Sequence, residues 1–197
     1  MPLIDRLKRS LFDPSYQFSR DVERMHVAHR KGIKLVRNLL HVRIARRWGC
    51  HISYECEVGK DVYFPHPTGI VIGAGSVIGD GCTIYQNVTI GRRQKSEPAC
   101  PVIERGCTVY CGAVVIGDVL LLEGTTVAAA AVVTRGTGVP NDVLGGIPAK
   151  SILHKGAQIE ARNNRQGLQA SGRGDHSIFC QDQEESSRAH RLLDHLE

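Results

Sequence analysis

Residues 66–91 read HPTGIVIGAGSVIGDGCTIYQNVTIG, and within them aliphatic residues return at Ile72, Ile78, Ile84 and Ile90. One apolar residue in every six fits neither an amphipathic helix nor an alternating strand. The series resumes at Ile103 and continues through Val109, Val115, Leu121, Val127 and Val133 without a miss. Small or β-branched residues keep a second phase of the same period: Ser76, Cys82, Val88, Cys107, Ala113, Val119, Thr125 and Ala131. A fixed short repeat of this kind predicts a solenoid. Six residues make one short flat face and a bend, and three faces close a triangular coil. The expected fold is mainly β, a parallel β-helix of hexapeptide repeats. Its aliphatic residues stack along the axis, and its small residues turn inward beside the corners. Cys82 and Cys107 fall in that small slot, where a thiol acts as compact apolar filler.

The period breaks once. Thirteen residues separate Ile90 from Ile103, and the excess lies in GRRQKSEPACPV, residues 91–102. This polar stretch, carrying Arg92, Arg93, Lys95 and Cys100, cannot be a buried face and is expected to loop out, where binding residues often reside. Pro140 and Pro148 are expected to end the coil. Outward from the repeat, residues 1–48 read as one or two helices, from patterns such as GIKLVRNLLHVRIARRW at residues 32–48. The expected organisation is a helical segment over 1–48, the β-helix over 49–153 and a polar tail over 154–197. In that tail QGLQASGRGD reads as flexible and EESSRAHRLLDHLE as a terminal helix.

The chain has 197 residues, a net charge of +5 and seven cysteines, with no C-x-x-C pair. An odd cysteine count without that spacing argues against a disulfide framework and a zinc knuckle, and favours a reducing, cytoplasmic setting. The N-terminus has no signal-type apolar region, and no apolar run is long enough to cross a membrane. Residues 1–48 hold twelve Lys/Arg against four Asp/Glu. Such a segment can touch an anionic surface, here the inner face of the membrane, and solvated faces of surface helices account for the same charge. No nucleic-acid partner is expected.

Only His51 and His66 lie in or beside the coil. A β-helix hydratase needs three histidine ligands for zinc, so no metal is expected. An antifreeze β-helix needs flat Thr-rich faces, which are missing. His66 falls six residues before Ile72, so an imidazole occupies an aliphatic slot unless the register slips there. It can be a structural residue at the start of a coil or a general base, since imidazole titrates near neutral pH.

HPTGIVIGAGSVIGDGCTIYQNVTIG, the loop, PVIERGCTVYCGAVVIGD and the closing VLGGIPAKSI together resemble the C-terminal domain of serine acetyltransferases. The resemblance covers residues 50–153. It implies a left-handed β-helix, a homotrimer, acetyl-CoA as donor and His66 as the base that deprotonates the acceptor hydroxyl. It further implies donor contacts from Gly112, Ala113, Ala129 and Ala130, with Lys150 meeting a nucleotide phosphate. Two positions depart from the family pattern. The aspartate that supports the catalytic histidine is replaced by His51, and a histidine of the serine site by Cys100. Arg92, Arg93 and Lys95 are candidates for an anionic acceptor or for CoA. On these departures the expected function is an acetyl-CoA-dependent O-acetyltransferase acting on a sugar hydroxyl of a surface polysaccharide or its precursor. Serine O-acetylation and a non-catalytic scaffold are the alternatives.

Overall fold

The computed structural model describes residues 12–153, apart from Lys95 and Glu97. The flexible stretch and terminal helix expected in the tail lie outside the described residues.

Three parallel ladders form the faces of a triangular coil. Face one joins β1 (His51–Ile52), β3 (Val71–Ile72), β6 (Thr89–Gly91), β9 (Val114–Ile116) and β12 (Val132–Val133). Face two joins β2 (Glu57–Val58), β4 (Val77–Ile78), β7 (Val102–Ile103) and β10 (Leu120–Leu121). Face three joins β5 (Thr83–Ile84), β8 (Thr108–Val109), β11 (Thr126–Val127) and β13 (Val143–Gly145), with β14 (Lys150–Ser151) antiparallel at its end. All ten aliphatics of the six-residue series are buried, none more than 1% exposed. Each pairs in register with its equivalent one coil away, as Ile72 with Ile90 and Ile90 with Val115. Burying a side chain of this size stabilises by roughly 1.5–3 kcal/mol, so the stack is the main hold on the coil. The small slots are buried as well, Cys82 and Cys107 among them. Their thiols donate to Glu104 O at 3.0 Å and to Leu122 O at 3.2 Å.

Two features of the coil differ from the sequence expectation. On the side of the first coil Ile84 stacks over Phe64 rather than over His66, where the six-residue count would fall, because Tyr63 bridges Thr83 in parallel. Ile52, Val58 and the buried Phe64 therefore make an earlier coil, and two extra residues precede Ile72. The register slips at His66, which is exposed and occupies no aliphatic slot. At the other end, Pro140 does not stop the coil. β13 follows it and still pairs with β11, with Leu144 over Val127. Pro140 sits in a corner, where no ladder hydrogen bond is asked of it.

Two helices cap the first coil. In α1 (Pro14–Arg30) Asp13 caps the N-terminus, its side chain accepting from Tyr16 N at 3.2 Å, and Pro14 takes the first turn, where no N–H is needed. α2 (Lys34–Trp48) ends at Gly49, whose left-handed φ of 60° closes the helix. Phe18 of α1 meets Trp48 edge-on at 5.8 Å and Phe64 of the coil at 4.9 Å. His26 approaches Ser53 O at 3.2 Å, and burial pushes the adjacent Cys56 thiol up to about 12. The helices thus share one core with the solenoid.

Candidate active site at a corner of the coil

The corner that leads from face three to face one carries His66. Two extra residues make the segment Pro65–Gly69 bulge outward, leaving His66 exposed and Pro67 buried. The bulge is tied down locally, since Thr68 N donates to His66 O at 2.8 Å and Asn87 N to Thr68 O at 2.9 Å. Gly69 has φ +66°, and a Cβ there would strike the Asn87 side chain of the next coil, so only glycine closes this turn. Among the described residues neither His51 nor His66 has a side-chain hydrogen-bond partner, and no carboxylate orients either ring.

The same corner continues through the later coils as a column. The His66 ring lies 6.4 Å from that of Tyr85, which stacks on Tyr110 at 4.9 Å with the planes 19° apart. Beyond them the column narrows to small residues. Gly112 N donates to Gln86 O at 3.0 Å, Ala130 N to Cys111 O at 2.9 Å, and Ala129 and Ala130 are exposed. Ala113 differs from its neighbours. Its side chain is buried, its N–H donates to Tyr110 O at 3.2 Å and its carbonyl accepts from Thr89 N at 3.0 Å. Lys150 is exposed at the far end, paired with Gly145 across β13 and β14.

Sequence reasoning missed three members of this column. Tyr85 and Tyr110 each follow a stacked aliphatic by one residue, so their common phase foretold that they stack. Gln86 Oε1 is enclosed and has no partner among the described residues. An enclosed acceptor of this kind is costly unless a donor reaches it.

The corner between faces one and two carries the extruded loop. Arg92 Nε donates to Cys100 Sγ at 3.1 Å, and the thiol donates to Ala74 O at 3.3 Å. Gly75, at φ +78°, makes room for this contact, since a Cβ there would lie 2.8 Å from Cys100 Sγ. Arg93 lies over Gly117, where a Cβ would come within 3.3 Å of the guanidinium. Lys95 is outside the described residues. Face one separates this corner from His66, so one chain does not bring Cys100 and His66 together. His51 begins face one and is exposed. A cleft of about 950 Å³ between α1 and the corner of faces two and three is lined by side chains of both signs, and His66 is not among its lining residues.

No family model matches the chain. A serine acetyltransferase of Synechococcus elongatus is 32% identical over 120 residues, 60% of this chain and 48% of the relative. A putative serine acetyltransferase of Schizosaccharomyces pombe is 36% identical over 106 residues, 53% of this chain and 39% of its own. Among solved structures, soybean serine acetyltransferase in complex with serine superposes with a TM-score of 0.67 at 27% identity, covering 73% of this chain and 60% of that one. The coil is similar to the hexapeptide-repeat domain of serine acetyltransferases. Its winding is accordingly the left-handed β-helix. The chain spans about half the length of the curated relatives it matches.

Proposed function

We propose that this chain is an acetyl-CoA-dependent O-acetyltransferase with His66 as general base. The observation that carries the reading is an exposed imidazole on the corner of a serine acetyltransferase-like coil, in column with Gly112, Ala129 and Ala130. Neutral His66 takes the proton of the acceptor hydroxyl as its oxygen attacks the thioester carbonyl. Backbone N–H groups of the corner stabilise the tetrahedral oxyanion. Collapse breaks the C–S bond, and the imidazolium returns its proton to the departing CoA thiolate. The donor lies along the small-residue column, with Lys150 placed for a phosphate. A CoA thioester fits a cytoplasmic setting.

For the acceptor, the relatives' names favour serine over the sugar hydroxyl expected from the sequence. Arg92 and Arg93 supply cations suited to the serine carboxylate. A glycan hydroxyl stands as the second reading on one observation. The two positions that depart from the serine site hold His51 and Cys100, and the Cys100 thiol is already engaged by Arg92 and Ala74.

The working unit is a homotrimer. Cys100 and His66 flank face one from opposite sides, so only a neighbouring copy can close a site around both. Val71, Val102 and Leu120 on the outer faces favour such a contact. The test is CoA release with L-serine against mono- and oligosaccharides at equal concentration, for the wild type and His66→Ala. A higher kcat/KM for serine supports the first acceptor, and a higher value for a sugar supports the second. Equal turnover by wild type and variant makes the coil a scaffold and overturns the reading.

A further inference from the structure

α2 gives one side to the core and another to water. Ile44 is buried, and Leu40 and Trp48 pack against the core. On the outer side Leu35, Leu39 and Val42 are 72%, 62% and 44% exposed. Their spacing of four and three residues sets them in one stripe, and Arg46 continues it by four more. A leucine stripe left in water is unfavourable, so this surface needs a partner.

The charge around the stripe selects the partner. α2 holds Lys34, Arg37, Arg43, Arg46 and Arg47 and no acidic residue. Arg37 lies over Tyr54, Arg43 pairs with Asp21 and Arg47 lies over Trp48, so Lys34 and Arg46 carry the uncommitted charge beside the stripe. Across residues 12–48 there are nine Lys/Arg against three Asp/Glu. Of those three acids, Asp21 is committed to Arg43 at 2.8 Å and Asp13 to the helix cap. A second copy that met this face with its own equivalent face would set like charges against each other. A negatively charged bilayer satisfies both features at once, with aliphatic side chains at the acyl boundary and guanidinium groups at the phosphates. Beside the stripe runs a groove of about 980 Å³ between the helices, lined by Val27, Val36 and Leu39 together with Arg24 and Lys31. Among the described residues no helix is long and apolar enough to cross a membrane, so the contact is interfacial.

We propose that the outer face of α2 docks this protein on the surface of an anionic lipid bilayer. The test is flotation of the full chain with phosphatidylcholine vesicles, with and without phosphatidylglycerol. Binding is expected to the anionic vesicles, weakening as salt is raised. Leu35→Glu combined with Leu39→Glu is expected to lower it by on the order of tenfold or more, and Arg46→Glu by a smaller factor. These side chains are exposed and belong to neither corner of the site, so circular dichroism and CoA release should stay as in the wild type. Wild type that ignores anionic vesicles, or a double variant that binds them equally, overturns the proposal. A fall in sedimentation mass in the double variant assigns the stripe to a second copy and also overturns it.

Discussion

Two corners flank face one, and they are built on opposite plans. Past the bulge at His66 its corner keeps the coil's rhythm, with Tyr85 stacked on Tyr110, small residues in the later coils and backbone groups bonded from one coil to the next. The loop corner abandons the rhythm for a long excursion that carries cations and a half-buried thiol. A corner kept in register presents the same geometry at each step along the axis, which suits one elongated ligand. A loop that leaves the register is free to change its chemistry without disturbing the stack. The first plan fits a shared donor and the second a variable acceptor.

The sharpest way to break this comparison is at His66. His66→Ala should lower acetyl transfer by on the order of 10²–10⁴-fold, the usual worth of a positioned base, with thermal unfolding unchanged. A wild-type rate in the variant would remove the chemistry from that corner. Next in size, Ala129→Trp places a bulky ring on the exposed small-residue column. The KM for acetyl-CoA should rise by roughly 10²-fold while the acceptor KM holds, as expected when a ligand is displaced from its track. Should the acceptor KM rise instead, the two corners have been assigned the wrong way round.

At the loop, Arg92→Ala should raise the acceptor KM about tenfold, the scale of one charged hydrogen bond, and leave the donor KM unchanged. A shift in donor KM would place CoA at this corner as well. The smallest effect is expected away from both, at His26. Burial lowers its pKa below the ordinary 6.5, opposed by the Ser53 carbonyl contact and assisted by nearby Arg30. Between the unfolded and folded values the unfolded chain binds the extra proton, so stability is full above 6.5 and falls as pH drops through the lowered value. Urea midpoints measured across that window should decline, and His26→Gln should flatten the decline. A wild-type midpoint that rises on acidification would contradict the assignment.

Much of this was legible beforehand, for a physical reason. Ile72 through Val133 repeat because every stacked position meets the same environment, and identical environments select identical residue types. The first coil falls within the span 49–153 expected for the β-helix, but its stacked positions did not join the series, because one slot is filled by Phe64 and the bulge at His66 shifts the count by two. Leu144 escaped because Pro140 is incompatible with a ladder but harmless in a corner. The site was legible as residue types and opaque as geometry. His66, Cys100 and the arginines could each be picked out from the sequence. Their separation by the width of face one could not, because it depends on which coil edge each bend occupies. The enclosed Gln86 oxygen carried no sequence mark at all.

The spacing between stacked partners bears on how such a chain tolerates change. Ile72 lies twenty residues after its partner Ile52, Ile90 eighteen after Ile72, and Val115 twenty-five after Ile90. Each step nevertheless advances the axis by one strand spacing, about 4.8 Å. The solenoid works as a ruler graduated in turns, indifferent to how many residues each turn consumes. Insertions and deletions at a corner therefore leave the distance from His66 to Lys150 fixed. The loop proposed to meet the acceptor can lengthen, shorten or be exchanged while the column proposed for the donor keeps its length.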